Sequence, residues 1–335
     1  MSKEMKIGIL GAGSWGIALA KLLYGNGHVV TVWSIDPEEI QMLNEFREHR
    51  TKLPGVLLPG DMVFTTEVKT AVEGADILVM VVPSPFIRST AKTIAPFVTE
   101  EQIIVNCSKG IEESSLKLLD AVIKEEIPQA TVAVLSGPSH AEEVGIGMPT
   151  TVVAGAYETE TAWLIQDAFM SDFFRVYTSD DVLGIELGAA LKNVIALAAG
   201  IADGMGYGDN SKAALITRGI AEIKRLGVKM GGKPETFSGL SGIGDLIVTC
   251  ASKHSRNRRA GFLIGQGKTY REAMDEVQMV VEGVYSAKAA RMLAEKYGVE
   301  MPIVEIVNKV LFEDMTAKDG LTALLSRNKT AEAHD

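Results

Sequence analysis

Residues 6–23 read KIGILGAGSWGIALAKLL, and this stretch decides the first fold prediction. A short apolar run is followed by three glycines, Gly11, Gly13 and Gly16, and then by a helical pattern. G-x-G-x-x-G between a strand and a helix is the fingerprint of a dinucleotide-binding turn. Gly11 permits the tight turn, Gly13 lets a pyrophosphate approach the backbone, and Gly16 lets the helix pack closely on the strand.

The two residues after Gly13 add a second argument. Ser14 and Trp15 stand in the first turn of the predicted helix, where backbone amides face outward and favour a phosphate. A glycine-rich turn that binds nothing would contain the same residues. The position between a strand and a helix, with another strand following, favours the nucleotide.

Outward from this turn, short apolar runs alternate with helical patterns as far as about Tyr177. The runs are KIGIL, VVTVW, ILVMVV, QIIVNC, TVAVLS, TTVVAG and FFRVY. Near-continuous Val, Ile and Leu strands that alternate with helices predict a parallel sheet covered on both faces. We therefore predict a doubly wound, Rossmann-type α/β domain that binds a dinucleotide, over residues 1–180.

After about Asp180 the strand-like runs stop. DDVLGIELGAALKNVIALAAGIADGMG predicts one long helix, NSKAALITRGIAEIKRLGVKMG predicts another, and further helical patterns follow. We predict an all-helical substrate and catalytic domain over residues 181–335. Its most apolar segment contains Lys192 and Asn193, and we expect it to be too short and too interrupted to cross a bilayer.

The composition limits the class of protein. The chain has 335 residues, 47% of them hydrophobic and 23% charged, which is typical of a globular protein with two domains. A net charge of -10 disfavours a general binder of nucleic acid or of anionic membranes. Cys107 and Cys250 lie far apart, and no signal-peptide pattern precedes Lys6, so we expect a reducing, cytoplasmic setting.

Histidine spacing gives no metal site. The five histidines are His28, His49, His140, His254 and His334. None of them forms a pair at metal-ligand spacing, and neither a G-x-S-x-G elbow nor a phosphate-loop GK[ST] occurs. We therefore predict no metal.

The end of the second predicted strand, WSIDP, bears on the choice of dinucleotide. An acidic residue there would bind the adenine ribose, whereas a basic residue would accept a 2′-phosphate. The candidates are Ile35 and Asp36, and no Lys or Arg occurs before Arg47. Electrostatics thus favour NAD over NADP, although Asp36 serves equally well as the N-cap of a helix that opens at Pro37.

Two predicted loops follow strand ends, where doubly wound sheets bind ligands. Lys109 lies in VNCSKGIE, although most loop lysines are simply solvated. LSGPSHAEE offers Gly137, Ser139 and a helix N-terminus to an anion. A plain turn in which Ser139 caps the helix would need the same residues.

Lys192 is unusual because it stands in the middle of an apolar helix. Between Leu183 and Ala202 nearly every other residue is apolar or glycine. A buried lysine is unfavourable unless it is paired, and burial lowers its pKa towards the range that a proton-transfer catalyst needs. The alternative is a lysine that extends its ammonium into water along the surface. Gly188, one turn earlier on the same face, would let another segment approach the helix.

Two later segments bring further charges. GLSGIGDLIVTC contains a carboxylate, Asp245, which on spacing alone serves equally well as a helix cap. In KHSRNRRAG, Arg256 and Asn257 could fork around a phosphate dianion. A basic run of this kind is otherwise a solvated face or a polyanion patch, and the lack of interleaved aromatics argues against nucleic acid.

These segments together resemble the bacterial NAD(P)-dependent sn-glycerol-3-phosphate dehydrogenase family. The resembling segments are GAGSWGIALA, SKG, SGPSHAEE, LGAALKNVIALAAGIADGMGYGDNSKAALITRG, GLSGIGDLIVTC, SRNRRAG and VVEGVYSAK. They span nearly the whole chain, and the blocks around LKNVIALAAGI and GIGDLIVTC are far more specific than the glycine fingerprint.

The resemblance implies reversible hydride transfer between NAD(P)H and dihydroxyacetone phosphate, which gives glycerol 3-phosphate for phospholipid synthesis. It implies that Lys192 donates and accepts the proton and that Lys109 contacts both substrate and cofactor. The other implied substrate residues are Gly137, Ser139, Asp245, Ser255, Arg256 and Asn257. The implied cofactor residues, besides the turn glycines and the strand end, are Ser14, Trp15, Ala141, Arg256, Val280 and Glu282.

Elementary chemistry agrees with these implied roles. A ketone that is being reduced develops negative charge on its oxygen, so a positioned ammonium both stabilises and protonates it. A cation at Lys109 would lower the pKa of Lys192, and Asp245 would oppose that shift. Because WSIDP lacks the basic residues that many relatives carry, we expect NADH to be used at least as well as NADPH.

Two other functions stay open at this point. One is a related two-domain dehydrogenase that acts on a β-hydroxyacid or sugar acid, whose carboxylate could use the same arginine. The other is a non-catalytic NAD(H) sensor, which would not need Lys192 in an apolar helix. The resemblance also implies a homodimer, a phosphorylated small-molecule substrate, and neither nucleic-acid binding nor stable membrane insertion.

Overall fold

The structure is a computed structural model, and it describes residues 3–329 and 331–332. His334 lies outside the described residues. The strands are β1 (Lys6–Leu10), β2 (Val29–Trp33), β3 (Glu48–His49), β4 (Leu53–Leu57), β5 (Val63–Thr65), β6 (Ile77–Met80), β7 (Ile103–Asn106), β8 (Ile111–Glu112), β9 (Lys117–Leu118), β10 (Thr131–Ser136), β11 (Thr150–Gly155) and β12 (Phe174–Ser179).

The α-helices follow the same chain order. They are α1 (Ser14–Gly25), α2 (Pro37–Phe46), α3 (Val68–Val72), α4 (Ile87–Ile94), α5 (Leu119–Glu126), α6 (Ala141–Gly145), α7 (Thr159–Phe169), α8 (Val182–Gly204), α9 (Asp209–Lys229), α10 (Pro234–Phe237), α11 (Asp245–Ala251), α12 (Arg256–Gly265), α13 (Tyr270–Val277), α14 (Glu282–Tyr297), α15 (Pro302–Phe312) and α16 (Ala317–Leu325). Two 3₁₀ turns, Ser84–Phe86 and Ala95–Phe97, and one π-helical turn, Leu240–Gly244, complete the set among the described residues.

The large sheet contains every apolar run that the sequence predicts as a strand. Its order is β12-β11-β10-β7-β6-β1-β2-β5, in which β1 lies between β6 and β2. The predicted all-parallel arrangement is wrong at one point, because β10 and β11 pair antiparallel while β11 and β12 pair parallel. The connection between β10 and β11 contains only the short α6, and this allows the chain to turn back beside β10.

The chain divides into two compact units. The sheet unit contains the residues up to Ser108 together with Leu119–Val182, and the helical unit contains Lys109–Leu118 together with the residues from Leu183 onward. The predicted division at residue 180 leaves Lys109–Leu118 on the wrong side. This segment forms the β8–β9 hairpin, and its Ile111 and Leu118 are buried in the core of the helical unit. That unit is therefore not entirely helical.

Helix α8 is the centre of the helical unit. It has 23 residues, so it is long and apolar enough to span a bilayer, and the prediction that it is too short is wrong. Of its most apolar window, 89% is buried inside the protein. Such burial is typical of the core helix of a soluble protein, and here the core consists of the helices packed around α8.

Helix α12 packs against α8 almost backbone to backbone. A Cβ atom on Gly200 of α8 would lie 2.1 Å from the carbonyl oxygen of Arg258, and a Cβ atom on Gly261 of α12 would lie 2.1 Å from that of Leu197. Only glycine allows this approach. Asp203 of α8 also pairs with the Arg258 guanidinium at 2.7 Å. The first turn of α12 is thus fixed against the helix that carries Lys192.

Candidate active site

Lys192 is buried and fully paired. Its side chain is 7% exposed, and Nζ donates to Asp245 Oδ1 at 2.5 Å and to Thr249 Oγ1 at 2.7 Å. The Thr249 hydroxyl in turn donates to the carbonyl oxygen of Asp245 at 2.6 Å. The alternative of a lysine that extends into water is therefore wrong.

Lys109 meets the same carboxylate from the other side. Its Nζ lies 2.7 Å from Asp245 Oδ2, and its side chain is 18% exposed. Asp245 thus bridges two ammonium groups, one per oxygen, and is itself almost entirely buried. Lys109 is not a solvated loop lysine, because the β8–β9 hairpin holds it in the helical unit beside α11.

The charges set the proton affinities of this triad. Burial lowers the pKa of Lys192 from 10.5 to about 8, while the Asp245 charge raises it and the Lys109 charge lowers it further. Burial alone would raise the pKa of Asp245, but Lys109 and Lys192 outweigh that effect and hold the pKa below its usual value. Burial thus brings the pKa of Lys192 closer to neutral pH. The effects of burial, Asp245 and Lys109 on that pKa have the directions expected from the sequence.

A π-helical turn places Asp245. Leu240–Gly244 forms this turn immediately before α11, and Gly244, not Asp245, occupies the N-cap position. The Asp245 backbone is instead the C-cap of the π-helical turn, so the helix-cap interpretation is confirmed for the backbone, while the side chain pairs with Lys109 and Lys192. A Cβ atom on Gly188 would lie 3.0 Å from the carbonyl oxygen of Ser241, so Gly188 is where the turn approaches α8. Wide π-helical turns of this kind are frequent at functional sites.

The start of α12 contacts Asn193, the residue of α8 that follows Lys192. Ser255 is the N-cap of α12, and its hydroxyl accepts the Arg258 backbone N–H at 3.2 Å. Asn257 Nδ2 donates to Asn193 Oδ1 at 2.9 Å, and Asn257 Oδ1 accepts the Gly283 backbone N–H at 2.8 Å. Asn257 thus ties α12 to α8 and to the start of α14.

Arg256 follows Ser255 and points to the loop before α14. Its guanidinium donates to the carbonyl oxygen of Val280 at 3.3 Å, and its side chain is half-buried. Glu282, the first residue of α14, is half-buried as well. The structure thus brings Arg256 together with Val280, a residue that only the family resemblance singles out.

In the sheet unit, the glycine turn has the expected geometry. Gly11 has φ +123°, and its N–H donates to the Trp33 carbonyl oxygen at 2.9 Å. A Cβ atom on Gly16 would lie 2.0 Å from the Gly11 carbonyl oxygen, whereas one on Gly13 would meet nothing within 4 Å. Gly13 is the N-cap of α1 and supplies no capping side chain. Open space therefore adjoins the backbone where a pyrophosphate would approach.

Two family models match this chain. The NAD-dependent glycerol-3-phosphate dehydrogenase N-terminus matches residues 6–162, and the C-terminus of the same family matches residues 181–322. The chain belongs to this family. The assignment fits the two charged residues, Lys192 and Asp245, that are buried together in the helical unit.

Relatives within the glycerol-3-phosphate dehydrogenase family are similar along their whole length. A glycerol-3-phosphate dehydrogenase [NAD(P)+] of Agathobacter rectalis is 62% identical over 327 residues, which is 98% of this chain and 97% of the relative. That of Fusobacterium nucleatum is 58% identical over 330 residues, 98% of each chain. The crystal structure of glycerol-3-phosphate dehydrogenase from Coxiella burnetii is 36% identical, with a TM-score of 0.93 over 97% of this chain and 99% of that one.

In this member of the glycerol-3-phosphate dehydrogenase family, the segment SGPSHAEE (residues 136–143) begins at the end of β10. Gly137 has φ +144°, and a Cβ atom on it would lie 2.9 Å from Val152 Cα, so the turn requires glycine. Ser139 donates to the Gly137 carbonyl oxygen at 3.0 Å and does not cap α6, whose N-cap is His140. The capping interpretation of Ser139 is wrong. Ala141 is buried at the start of α6.

At the end of β2 the structure confirms one predicted role and shows one buried residue that the sequence did not predict. Asp36 is the N-cap of α2 and accepts the Glu38 backbone N–H at 3.0 Å, while Ile35 is 82% exposed. The capping interpretation of Asp36 is confirmed. Glu39, which the sequence does not distinguish from its neighbour Glu38, is buried there and pairs with Lys52.

Two of the contacts described above, those of Thr249 and Lys52, were not predicted from the sequence. Thr249 stands four residues after Asp245, so helical spacing places both on one face of α11. No such local signal joins Lys52 to Glu39, because the β3–β4 hairpin brings them together. Among the described residues, no group of three or more His, Cys, Asp or Glu side chains is arranged to hold a metal ion.

Proposed function

We propose that this chain is an NAD(P)-dependent glycerol-3-phosphate dehydrogenase that interconverts dihydroxyacetone phosphate and glycerol 3-phosphate, with Lys192 as the proton donor and acceptor. The observation that carries the proposal is the buried Lys192, whose pKa is lowered to about 8. A general acid and base works best when its pKa lies near the working pH. A sensor of NAD(H) without chemistry to perform would have no use for such a residue.

The sheet unit supplies a fit for the dinucleotide. Gly13 leaves open space at the N-terminus of α1, and no side chain caps that terminus. Ser14 and Trp15 in its first turn would hold the pyrophosphate through their backbone amides. The family resemblance adds Ile35, Asp36, Lys109, Ala141, Arg256, Val280 and Glu282 as cofactor contacts.

The nicotinamide, when bound, exchanges a hydride with C2 of the substrate. In the reductive direction, the Lys192 ammonium stabilises the negative charge that grows on the carbonyl oxygen and gives that oxygen a proton. In the oxidative direction, the neutral amine of Lys192 takes the hydroxyl proton. Asp245 and Thr249 hold Nζ in place during both, because they accept its other two protons.

The substrate phosphate needs a cation in the active site. Arg256 contacts a backbone carbonyl oxygen, and a planar guanidinium suits a phosphate dianion. Ser255 and Asn257 at the same helix start, and Gly137 and Ser139 in the sheet unit, complete the substrate residues that we infer. Lys109 would contact substrate and cofactor while it keeps the pKa of Lys192 low.

We further infer, from the family resemblance, that the glycerol 3-phosphate formed serves phospholipid synthesis in the cytoplasm and that the chain acts as a homodimer. Cys107 and Cys250 are buried and form no disulfide with each other, which is compatible with a reducing compartment. Burial of α8 inside the helical unit supports the absence of membrane insertion. Cell fractionation and analytical ultracentrifugation test the location and the oligomeric state.

The deciding experiment is a spectrophotometric assay. Purified protein is mixed with dihydroxyacetone phosphate, and the absorbance of NADH and then of NADPH is followed, with unphosphorylated dihydroxyacetone as the control. We expect oxidation of the dinucleotide with the phosphorylated ketone alone. Absence of turnover with both dinucleotides, in a protein that binds NADH, would contradict the proposed reaction and favour a hydroxyacid substrate or a sensor.

A further inference from the structure

Glu39 is a buried acid directly behind the end of β2. It is 6% exposed, and its Oε2 accepts the Ser34 hydroxyl at 2.6 Å. Its Oε1 accepts His49 Nε2 at 2.9 Å and pairs with the Lys52 ammonium. His49 Nδ1 accepts the Lys52 backbone N–H at 3.2 Å, so the ring proton is on Nε2 and is donated to Glu39.

The Ser34 hydroxyl is committed as well. It donates to Glu39 and accepts the Asp36 backbone N–H at 3.2 Å. Burial alone would raise the pKa of Glu39, but its bonds to His49, Lys52 and Ser34 lower that pKa to about 2. The carboxylate is therefore ionised at every physiological pH, and it holds its three partners permanently.

Three cations follow α2, and each of them is engaged. Arg47 donates to the Met62 carbonyl oxygen at 2.7 Å, and the Arg50 guanidinium lies 3.4 Å from the centre of the Phe46 ring. Lys52 pairs with Glu39, yet its side chain remains 39% exposed. Lys52 is therefore a cation that is anchored near the strand end but still borders on solvent.

We propose that Glu39 is a specificity-determining residue that reserves this site for NAD(H) by neutralising and anchoring Lys52, the cation that would otherwise bind the 2′-phosphate of NADP(H). This inference rests on the proposed binding of a dinucleotide at the glycine turn. In such folds the ribose that carries the 2′-phosphate lies at the end of the second strand. A 2′-phosphate there would meet the carboxylate of Asp36, while Lys52 is already paired with Glu39.

The test is a pair of binding titrations, with NADH and NADPH each added to the full-length protein and binding followed by fluorescence. For the unaltered protein we expect NADH to bind at least about 10-fold more tightly, because a missing charge-assisted contact has about that effect. Glu39→Gln keeps the side-chain volume and frees Lys52. We expect this variant to bind NADPH at least about 10-fold more tightly than the unaltered protein, with NADH affinity changed by less than about 3-fold.

Two control variants separate release of Lys52 from loss of charge. Glu38→Gln removes the same charge from an exposed position of the same helix, so it should leave the NADPH to NADH ratio nearly unchanged. Glu39→Gln combined with Lys52→Gln should cancel the gain in NADPH affinity. An equal gain in Glu38→Gln, or a gain that survives in the double variant, would overturn the proposal, as would an unchanged ratio in Glu39→Gln.

The single change Lys52→Gln keeps the proposal testable if Glu39→Gln does not fold, because the substituted side chain is partly exposed. Since Lys52 is held by Glu39, we expect its removal to leave NADPH affinity within about 2-fold. A loss of 10-fold or more would show that Lys52 already contacts the 2′-phosphate, contrary to the proposal. Failure of the unaltered protein to bind either dinucleotide would refute the proposed function itself, whereas binding with no Glu39 effect refutes this inference alone.

Discussion

Lys192 and Asp245 form an ion pair that is removed from water, with Nζ and Oδ1 2.5 Å apart. Breaking such a pair from one side leaves an uncompensated buried charge, which destabilises a protein strongly. The second ammonium, that of Lys109, leaves the three groups with one net positive charge. A substrate that develops negative charge would therefore be attracted to this cluster in its transition state more than in its ground state.

Lys192→Ala should lower kcat by about two to four orders of magnitude, because the general acid and base is lost. NADH binding should be nearly unchanged, since Lys192 belongs to the helical unit and the glycine turn to the sheet unit. Steady-state kinetics and NADH fluorescence measure the two effects. Lys224→Ala, an exposed lysine of α9, is the control. An unchanged kcat in Lys192→Ala would exclude the assigned role.

The rate should depend on pH through Lys192. Reduction needs the ammonium form, so its kcat should fall as the pH rises through about 8, and oxidation needs the amine, so its kcat should rise there. Lys109→Met removes a charge that lowers the pKa of Lys192 and should move both inflections to higher pH. Asp245→Asn removes a charge that raises it and should move them to lower pH. Inflections that stay in place in both variants would assign the titration to another group.

Arg256→Ala should raise KM for dihydroxyacetone phosphate by about 10- to 100-fold, because a charge-assisted contact to the phosphate is lost. The effect on kcat should be smaller. Arg259→Ala, an exposed arginine on the same helix, should leave both constants near their original values. If both substitutions have equal effects on KM, the run of cations acts only as a diffuse positive surface.

The glycine turn yields a contrast between two alanine variants. Gly16→Ala forces a Cβ atom to within 2.0 Å of the Gly11 carbonyl oxygen and should destabilise the protein by about 1–3 kcal/mol. Gly13→Ala meets no protein atom within 4 Å, so the fold should tolerate it while NADH affinity falls. Thermal unfolding and NADH titration measure both variants. Normal NADH affinity in a folded Gly13→Ala protein would mean that the pyrophosphate lies elsewhere.

Glu222 gives a prediction about stability. It is buried on α9 and accepts the Ile303 backbone N–H at 2.8 Å, and burial raises its pKa to about 7. The folded state thus binds a proton that the unfolded state releases near pH 4.5, so stability is lost as the pH rises from about 4.5 to about 7. Between pH 5 and 8 the free energy of unfolding should fall by about 2–3 kcal/mol more than in Glu222→Gln.

Urea unfolding at each pH measures this difference. Glu235→Gln, which alters an exposed glutamate, should follow the unaltered protein. Parallel pH curves for Glu222→Gln and the unaltered protein would show that Glu222 does not titrate in this range.

Local pattern sufficed for seven strands of the large sheet, but it did not reveal β5 or the short hairpin strands β3, β4, β8 and β9. The apolar runs such as KIGIL and VVTVW become strands because burial on both faces of a sheet requires continuous apolar sequence. For Lys192 the sequence left burial with a partner and extension into water both open, and it predicted the direction of the pKa shift for the buried case, which the structure shows.

Contacts between distant segments were harder to predict. Lys109 and Asp245 are 136 positions apart, and no local pattern around either residue indicates the other. The antiparallel β10–β11 pair depends on how the chain returns after α6, and a strand's composition carries no direction. The buried position of Glu39 depends on the hairpin that delivers His49 and Lys52, because an isolated Glu in PEEIQMLNEF has the pattern of a surface residue.

The segment Lys109–Leu118 has a consequence for recombination. Because this short hairpin is encoded in the first third of the gene but belongs to the helical unit, a crossover near residue 183 between two relatives would take Lys109 from one parent and Asp245 from the other. Such hybrids would inherit mismatched halves of one charge cluster even if each unit folded well. Crossovers that exchange residues 109–118 together with the C-terminal half would keep both lysines and Asp245 from one parent. We therefore expect exchange near residue 183, where the strand-forming part of the sequence ends, to be tolerated least.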